Sequence, residues 1–350
     1  MKKAIRYSII VCFFSWAMFA VVHWGFGIGA DTPTGLMVFS TVYMFFPLIT
    51  ALVLQAIDKE KFNHTGLVNF KVRWSWVVAW LLPVVMVFLC ILINGLMPGV
   101  SLEYNSEQLI NQYHVPEDQQ EMVREQMGQM PAYLMMIITL VSGLAAGVTV
   151  NAIAAFGEEY GWRNYLVGAL REVKFWKAAL FIGFVWGIWH FPLILMGHNY
   201  PNEPQWGVLL MVVFCVLAGV IELYFVLKSK SMIVAAIMHG TINAVAGMTI
   251  YFTLGGNDFL NGMTGLSGFI VMAVTIFFIW IYDKYIAKDN ILSMTLGDSL
   301  GRGIHDNVTM TTDHDHDHDQ LRVELGGQGL RSGSGSPIDS LDPAYKKERD

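Results

Sequence analysis

Long apolar stretches separated by short polar breaks set the pattern of this chain. They do not show the ten-residue alternation of a membrane barrel strand. They run on for about 20 residues at a time, the length that carries an α-helix across a bilayer. Eight such runs are predicted, at 7–28, 36–57, 76–97, 131–156, 176–196, 207–227, 232–254 and 266–285. The expected fold class is therefore all-α, a polytopic membrane protein with about eight transmembrane helices. Trp74, Trp76 and Trp80 cluster at the start of the third run, as an interfacial aromatic belt would.

An even number of spans puts both termini on one side, and the basic residues test that. Lys2, Lys3 and Arg6, the Lys and Arg of 58–73, those of 163–177, Lys228, Lys230, Lys284 and Lys288 all fall on that side. Arg124 alone falls on the other. The positive-inside bias then predicts cytoplasmic termini and a multi-pass protein of the cell membrane. The first run, preceded by Lys2, Lys3 and Arg6, has the charge layout of a signal peptide. It is long, however, and Ile28-Gly29-Ala30 makes a poor small-x-small cleavage site, so a retained helix is expected.

Composition agrees: 54% of residues are hydrophobic and 14% charged, against about 25% charged in soluble domains. The net charge of −6 comes partly from one loop and the C-terminal tail, and it identifies no partner. No basic, aromatic-interleaved patch points to nucleic acid; the implied surroundings are membrane lipid. Cys12, Cys90 and Cys215 lie in apolar runs without metal or disulfide spacing and read as core residues.

Residues 1–288 form the predicted membrane domain, with a core at 130–255. The longest internal loop, 98–132, is acidic, and 116–130 within it is expected to form a short surface helix. From 289 to 350 the chain turns polar and Gly/Ser-rich, a disordered cytoplasmic tail by composition. Its Asp313-His314-Asp315-His316-Asp317-His318-Asp319 tract has loose metal-binding capacity, yet a solvated acidic tract is the simpler reading, and Ser332–Ser336 looks like a linker.

Against this apolar background a few polar residues are costly. Insertion of a charged side chain near a span's centre costs about 2.5–3.5 kcal/mol. The fourth run delivers Glu158 and Glu159, with Arg163 one helical turn beyond Glu159 and able to pair with it. Glu158 points about 100° away and stays free. His190 lies in the fifth run, just before Pro192. His239 and Asn243 share a face of the seventh, beside Gly240 and Ala244, which permit close helix approach. Glu222 in the sixth run is a further candidate near the inner end. Depth is the difficulty: counted at 1.5 Å per residue from the inner ends, His239 sits roughly 10 Å in and His190 roughly 21 Å.

Singly, each of these residues reads as interhelical glue. Together they suit hydrolysis. Glu158 could act as general base on a water, Arg163 could hold Glu159 ionised, and His239 and Asn243 could donate to an oxyanion. Alternatively Glu158, His190 and His239 could ligate Zn²⁺ with a position left for water. There is no His-Glu-x-x-His, and no Ser- or Asp-based intramembrane pair is evident. A proton or ion relay in a transporter uses similar residues, though clear inverted repeats are missing. A membrane scaffold without catalysis is the third reading.

Glu158-Glu159-x-x-x-Arg163, an aromatic segment ending in His190, and His239-x-x-x-Asn243 follow one another on successive apolar runs. This order resembles the CPBP family of intramembrane proteases, which holds CAAX prenyl endopeptidases and bacteriocin-processing or immunity (Abi-type) proteins. The resemblance covers about 130–255. It implies a peptidase acting on membrane-associated peptides or proteins. Glu158 would be base or metal ligand, supported by Glu159 and oriented by Arg163. His190 and His239 would be catalytic or ligands, and Asn243 an oxyanion donor. It leaves open whether a divalent metal such as zinc takes part, and it accounts for neither the 98–132 loop nor the tail.

Overall fold

The computed structural model describes residues 1–301 apart from 30–31, 105–106, 108–109 and 111–114. The Asp/His tract and the linker-like stretch lie outside the described residues, as does part of the 98–132 loop.

All eight predicted runs are helical, with further helices at 117–128 and 166–169 outside them. They form α1 (Lys2–Ala20), α2 (Pro33–Thr41), α3 (Phe46–Ile57), α4 (Trp74–Asn94), α5 (Glu117–Gly128), α6 (Ala132–Gly147), α7 (Val150–Glu159), α8 (Leu166–Ala169), α9 (Phe175–Trp189), α10 (Phe191–Leu195), α11 (Pro204–Ser229), α12 (Ile233–Val245), α13 (Met248–Tyr251) and α14 (Leu266–Ile281). The acidic α5 is the expected surface helix, and it meets α6 at 111°. The β structure among the described residues is a two-residue pairing, β1 (Val100–Ser101) with β2 (Leu254–Gly255), which ties the loop to the chain after α13.

Among the described residues, six helical stretches are long and apolar enough to cross a membrane, or seven if the α5–α6 pair counts as one span. The fourth and fifth predicted runs fall short of that length, for different reasons. The fourth breaks between Gly147 and Val150, where Thr149 leaves helical geometry at φ −120° and ψ −105°. A second helix then starts, and it continues past Glu159 through a π-helical turn, Tyr160–Tyr165, into α8. The fifth ends early, at Trp189. Pro192 cannot donate into a continuing helix, and it instead opens the short α10 with His190 as its N-cap. The backbone carbonyl freed at Trp189 accepts hydrogen bonds from Tyr43 Oη (2.8 Å) and Trp16 Nε1 (3.1 Å).

Close packing around the core depends on glycines four residues apart. On α9, Gly183 and Gly187 lie against Val216 and Val212 of α11. A Cβ on either would come within 2.6 Å or 2.5 Å of a Val Cα. On α6, Gly143 and Gly147 lie against Val245 and Thr241 of α12, with a Cβ at Gly147 only 2.8 Å from Thr241 Cα. Gly157 and Gly161 face Met44 and Pro47. Small-x-x-x-small spacing lets helix backbones approach in lipid, where dispersion rather than the hydrophobic effect drives association. Gly183→Val is therefore expected to force α9 from α11. The cost is roughly 1–3 kcal/mol of overpacking, read as a lower thermal midpoint in detergent. Gly128→Ala, where nothing lies within 4 Å of the new Cβ, should leave the midpoint in place.

The outer faces are apolar. Ile5, Ile9 and Phe13 of α1 are exposed, while Ala4, Tyr7, Val11 and Ser15 on its other face are buried. Trp176, Leu180 and Phe184 of α9 are exposed in the same way. Such a surface suits lipid. On the predicted inner side, loop 58–73 closes over two turns. Leu67 accepts the Met232 amide at 2.8 Å, and Thr65 bonds Asn164 of the π-helical turn.

Residues 289–300, assigned to the tail by composition, pack on the core. The Asp283 carboxylate accepts the amides of Ile291 (3.0 Å) and Leu292 (3.1 Å), and Ile291, Leu292 and Leu296 are buried. The compact unit extends from Met1 to Leu300. Composition missed this because three buried apolar residues spread over six positions make no sustained period.

Candidate active site

Helix α7 and the π-helical turn after it carry Glu158, Glu159 and Arg163. The extra residue in a π turn widens the helix locally and is common at functional sites. Glu158 is 2% exposed, and Glu159 and Arg163 are fully buried. Arg163 Nη1 donates to Glu159 Oε1 at 3.0 Å, the i,i+4 pair read from the sequence. Glu159 Oε1 also meets His239 Nδ1 of α12 at 2.9 Å.

Glu158 is held separately. Its Oε2 accepts from Trp186 Nε1 at 2.7 Å and from Trp162 Nε1 at 3.3 Å. His190, at the end of α9, has Nδ1 2.8 Å from the carbonyl of Trp186. A carbonyl only accepts, so Nδ1 carries the proton and Nε2 of the neutral ring presents a lone pair. By the same reasoning His239 donates from Nδ1 to Glu159. His190 and His239 are buried, while Asn243, one turn beyond His239, is exposed.

Two residues enlarge this group. Trp186 of α9 joins it through both its indole and its backbone carbonyl. Its indole N–H binds Glu158, and its carbonyl binds His190. Its ring centroid lies 4.4 Å from the Arg163 guanidinium carbon and 5.2 Å from the His239 ring. The spacing Trp186-x-x-x-His190 could have signalled it. Glu222, a candidate left without a place, is fully buried on α11 and forms an ion pair with Arg163 Nη2.

Two helix breaks change the depth count. Because a new helix starts at Val150 and runs on past Glu158 through the π-helical turn, Glu158 no longer closes the fourth run. Because α9 stops at Trp189, His190 sits at a joint rather than mid-span. Asn151 Nδ2 ties α7 to α12 by donating to the Gly240 carbonyl at 3.3 Å.

The fit of a metal can be tested on this geometry. Among the described residues, the group whose donor atoms lie within 4.8 Å of one another is Glu159, Glu222 and His239, which shares His239 alone with the trio expected from the sequence. Arg163 is already paired with both of these carboxylates. A divalent ion there would face a buried guanidinium, and charge repulsion in a low-dielectric site is strong. The group does not fit a zinc ion while Arg163 holds that position.

Fold and site together define a polytopic helical membrane protein with a buried carboxylate–histidine centre. Residues 129–245 match the family model described as Type II CAAX prenyl endopeptidase Rce1-like. The chain is also 36% identical over 97 residues to "CAAX prenyl protease 2" of Methanococcus maripaludis, a match covering 26% of this chain and 36% of that relative. The resemblance to the CPBP proteases is borne out by both matches. The 129–245 segment contains the Glu-Glu-x-x-x-Arg, His190 and His239-x-x-x-Asn243 elements, together with Trp186 and Glu222.

Proposed function

We propose that this protein is an intramembrane endopeptidase that hydrolyses peptide bonds of membrane-associated peptides or proteins. The observation that carries the reading is the convergence of Glu158, His190 and His239 around Trp186 inside an apolar helical core. Its termini are read as cytoplasmic and its membrane as the cell membrane, from the placement of Lys and Arg.

In this reading Glu158 takes a proton from a water. Its Oε2 is fixed by two indole N–H groups, which leaves Oε1 for that water. His190 Nε2 accepts the water's second hydrogen and holds the molecule in place. The water oxygen attacks the carbonyl carbon, and the C=O electron pair moves to the oxygen. His239 Nε2 and the Asn243 amide donate to that oxyanion. To donate from Nε2, His239 carries a proton on both nitrogens, and the Glu159 carboxylate balances the charge. Collapse of the tetrahedral intermediate expels the amine, which takes the proton from Glu158. Each part is a standard contribution: general base catalysis gives about 10²–10⁴-fold, and one oxyanion donor about 10²–10³-fold.

Cleavage of a membrane-associated peptide library by purified protein in detergent tests the reading. Wild type and Glu158→Gln are compared, each with and without a strong chelator. A prenylated peptide ending Cys-aliphatic-aliphatic-X belongs in the library because of the relative's name. The expected result is cleavage by wild type that withstands the chelator and disappears in the variant. Loss on chelation would restore a metal mechanism. No wild-type cleavage of any peptide would turn attention to the transporter and scaffold readings.

A further inference from the structure

Glu222 lies outside every motif that carried the sequence reading, on a helix that supplies none of the residues assigned above. We propose that Glu222 is a positioning residue of this centre: it fixes the Arg163 guanidinium and, through Glu159, the direction of His239. The proposal rests on the peptidase reading and adds to it a group that does not touch substrate.

Four side chains form a line across three packed elements. His239 of α12 meets Glu159 of α7 at 2.9 Å, and Glu159 meets Arg163 at 3.0 Å. Arg163 then meets Glu222 of α11 in an ion pair. All but His239 are fully buried. An arginine facing a single carboxylate on its own helix could rotate about its long side chain. A second carboxylate on another helix, with the Trp186 ring 4.4 Å from the guanidinium carbon, removes that freedom. Gly219, one turn before Glu222, lies alongside the guanidinium, and a Cβ there would sit at ordinary contact distance, 3.5 Å from Arg163 Nη2.

When His239 is protonated, it and Arg163 together balance two of the buried carboxylates. Adding a third buried carboxylate, beside Glu158 and Glu159, leaves the group richer in acid than in base. Buried charge of this kind is costly unless geometry repays it, and replacing it by apolar groups is often neutral or stabilising. Its presence here has a geometric consequence. Through Arg163 the carboxylate of Glu159 is held from the α11 side, so its Oε1 stays on His239 Nδ1 and the imidazole keeps its direction.

The test uses the full chain in detergent with the imidazole nitrogens labelled. The resonances of His239 are assigned by their loss in His239→Gln. With a peptide that wild type cleaves, Glu222→Gln is expected to lower kcat about 10–100-fold, the scale of a misplaced catalytic group, with KM little changed. It is also expected to shift the His239 ring resonances while those of His64, outside the site, stay put. If Glu222→Gln fails to assemble, Glu222→Asp keeps the charge, shortens the reach by one methylene, and is judged by the same two readouts. Unmoved His239 resonances, or unchanged kcat, would overturn the proposal. If no peptide is cleaved by wild type, the peptidase reading fails, while the resonances still decide whether Glu222 positions His239.

Discussion

Arg163→Ala is expected to dismantle the helix core around the site rather than merely slow turnover. Arg163 is fully buried and is the cation paired with Glu159 and Glu222. Its removal strands two carboxylates in an apolar interior and opens a void beside Trp186. Breaking a buried pair by deleting one partner costs about 3–5 kcal/mol. That is a large fraction of the roughly 5–15 kcal/mol that holds a domain together. The helices would stay inserted while their packing loosened, and the thermal midpoint in detergent would fall steeply. Arg163→Lys should recover little, because a point ammonium cannot fork between two carboxylates on different helices. Combining Arg163→Ala with Glu222→Leu should recover part of the loss, since one stranded charge is then gone. A single variant as stable as wild type would show that the guanidinium is not what neutralises this interior.

Glu158→Gln is expected to do the opposite, abolishing turnover and sparing the fold. The amide is nearly isosteric, and its oxygen still accepts from the Trp186 and Trp162 indoles. What it lacks is a proton-accepting oxygen for the water. Loss of a general base corresponds to about 10²–10⁴ in kcat, or roughly 3–5 kcal/mol of barrier at 1.36 kcal/mol per tenfold. KM should change little, and the thermal midpoint should stay near the wild-type value. Cleavage at the wild-type rate would remove Glu158 from the mechanism. A collapse in stability would mean that the glutamate serves the tryptophans rather than the substrate.

These two results would separate the neighbouring glutamates, which the sequence could distinguish only by angle. Successive helix positions differ by about 100°, so the reading that one pairs with Arg163 while the other points elsewhere followed from the spacing alone. The structure agrees on the pair and corrects the rest. Glu158 is held by two indole donors, one of them 28 residues away on α9.

The depth of the histidines was illegible for a definite reason. Hydropathy counts apolar residues and cannot register a turn made of them. The break at 147–150 contains no proline and no charge, so the run read as continuous. Pro192 was visible, but the early end of α9 became a functional fact only once His190 was seen at the joint. The glycine pairs at 143/147, 157/161 and 183/187 were present in the sequence at a known spacing and went unread. Their partners lie on other helices, and only those partners give the spacing meaning.

Local chemistry and period, then, are what the sequence determined by itself. It determined a helical membrane protein, because unbroken apolar length has one cheap solution in a bilayer. It also determined the residues whose presence there needed a reason. Tertiary structure decided which of them meet. His239 reaches Glu159 where Gly240 lets α12 come within backbone contact of α7 at Asn151 and Ala152, and Gly183 and Gly187 set α11, which carries Glu222, against α9, whose Trp186 packs on Arg163. That convergence is a property of helix pairs in three dimensions, and no single helix encodes it.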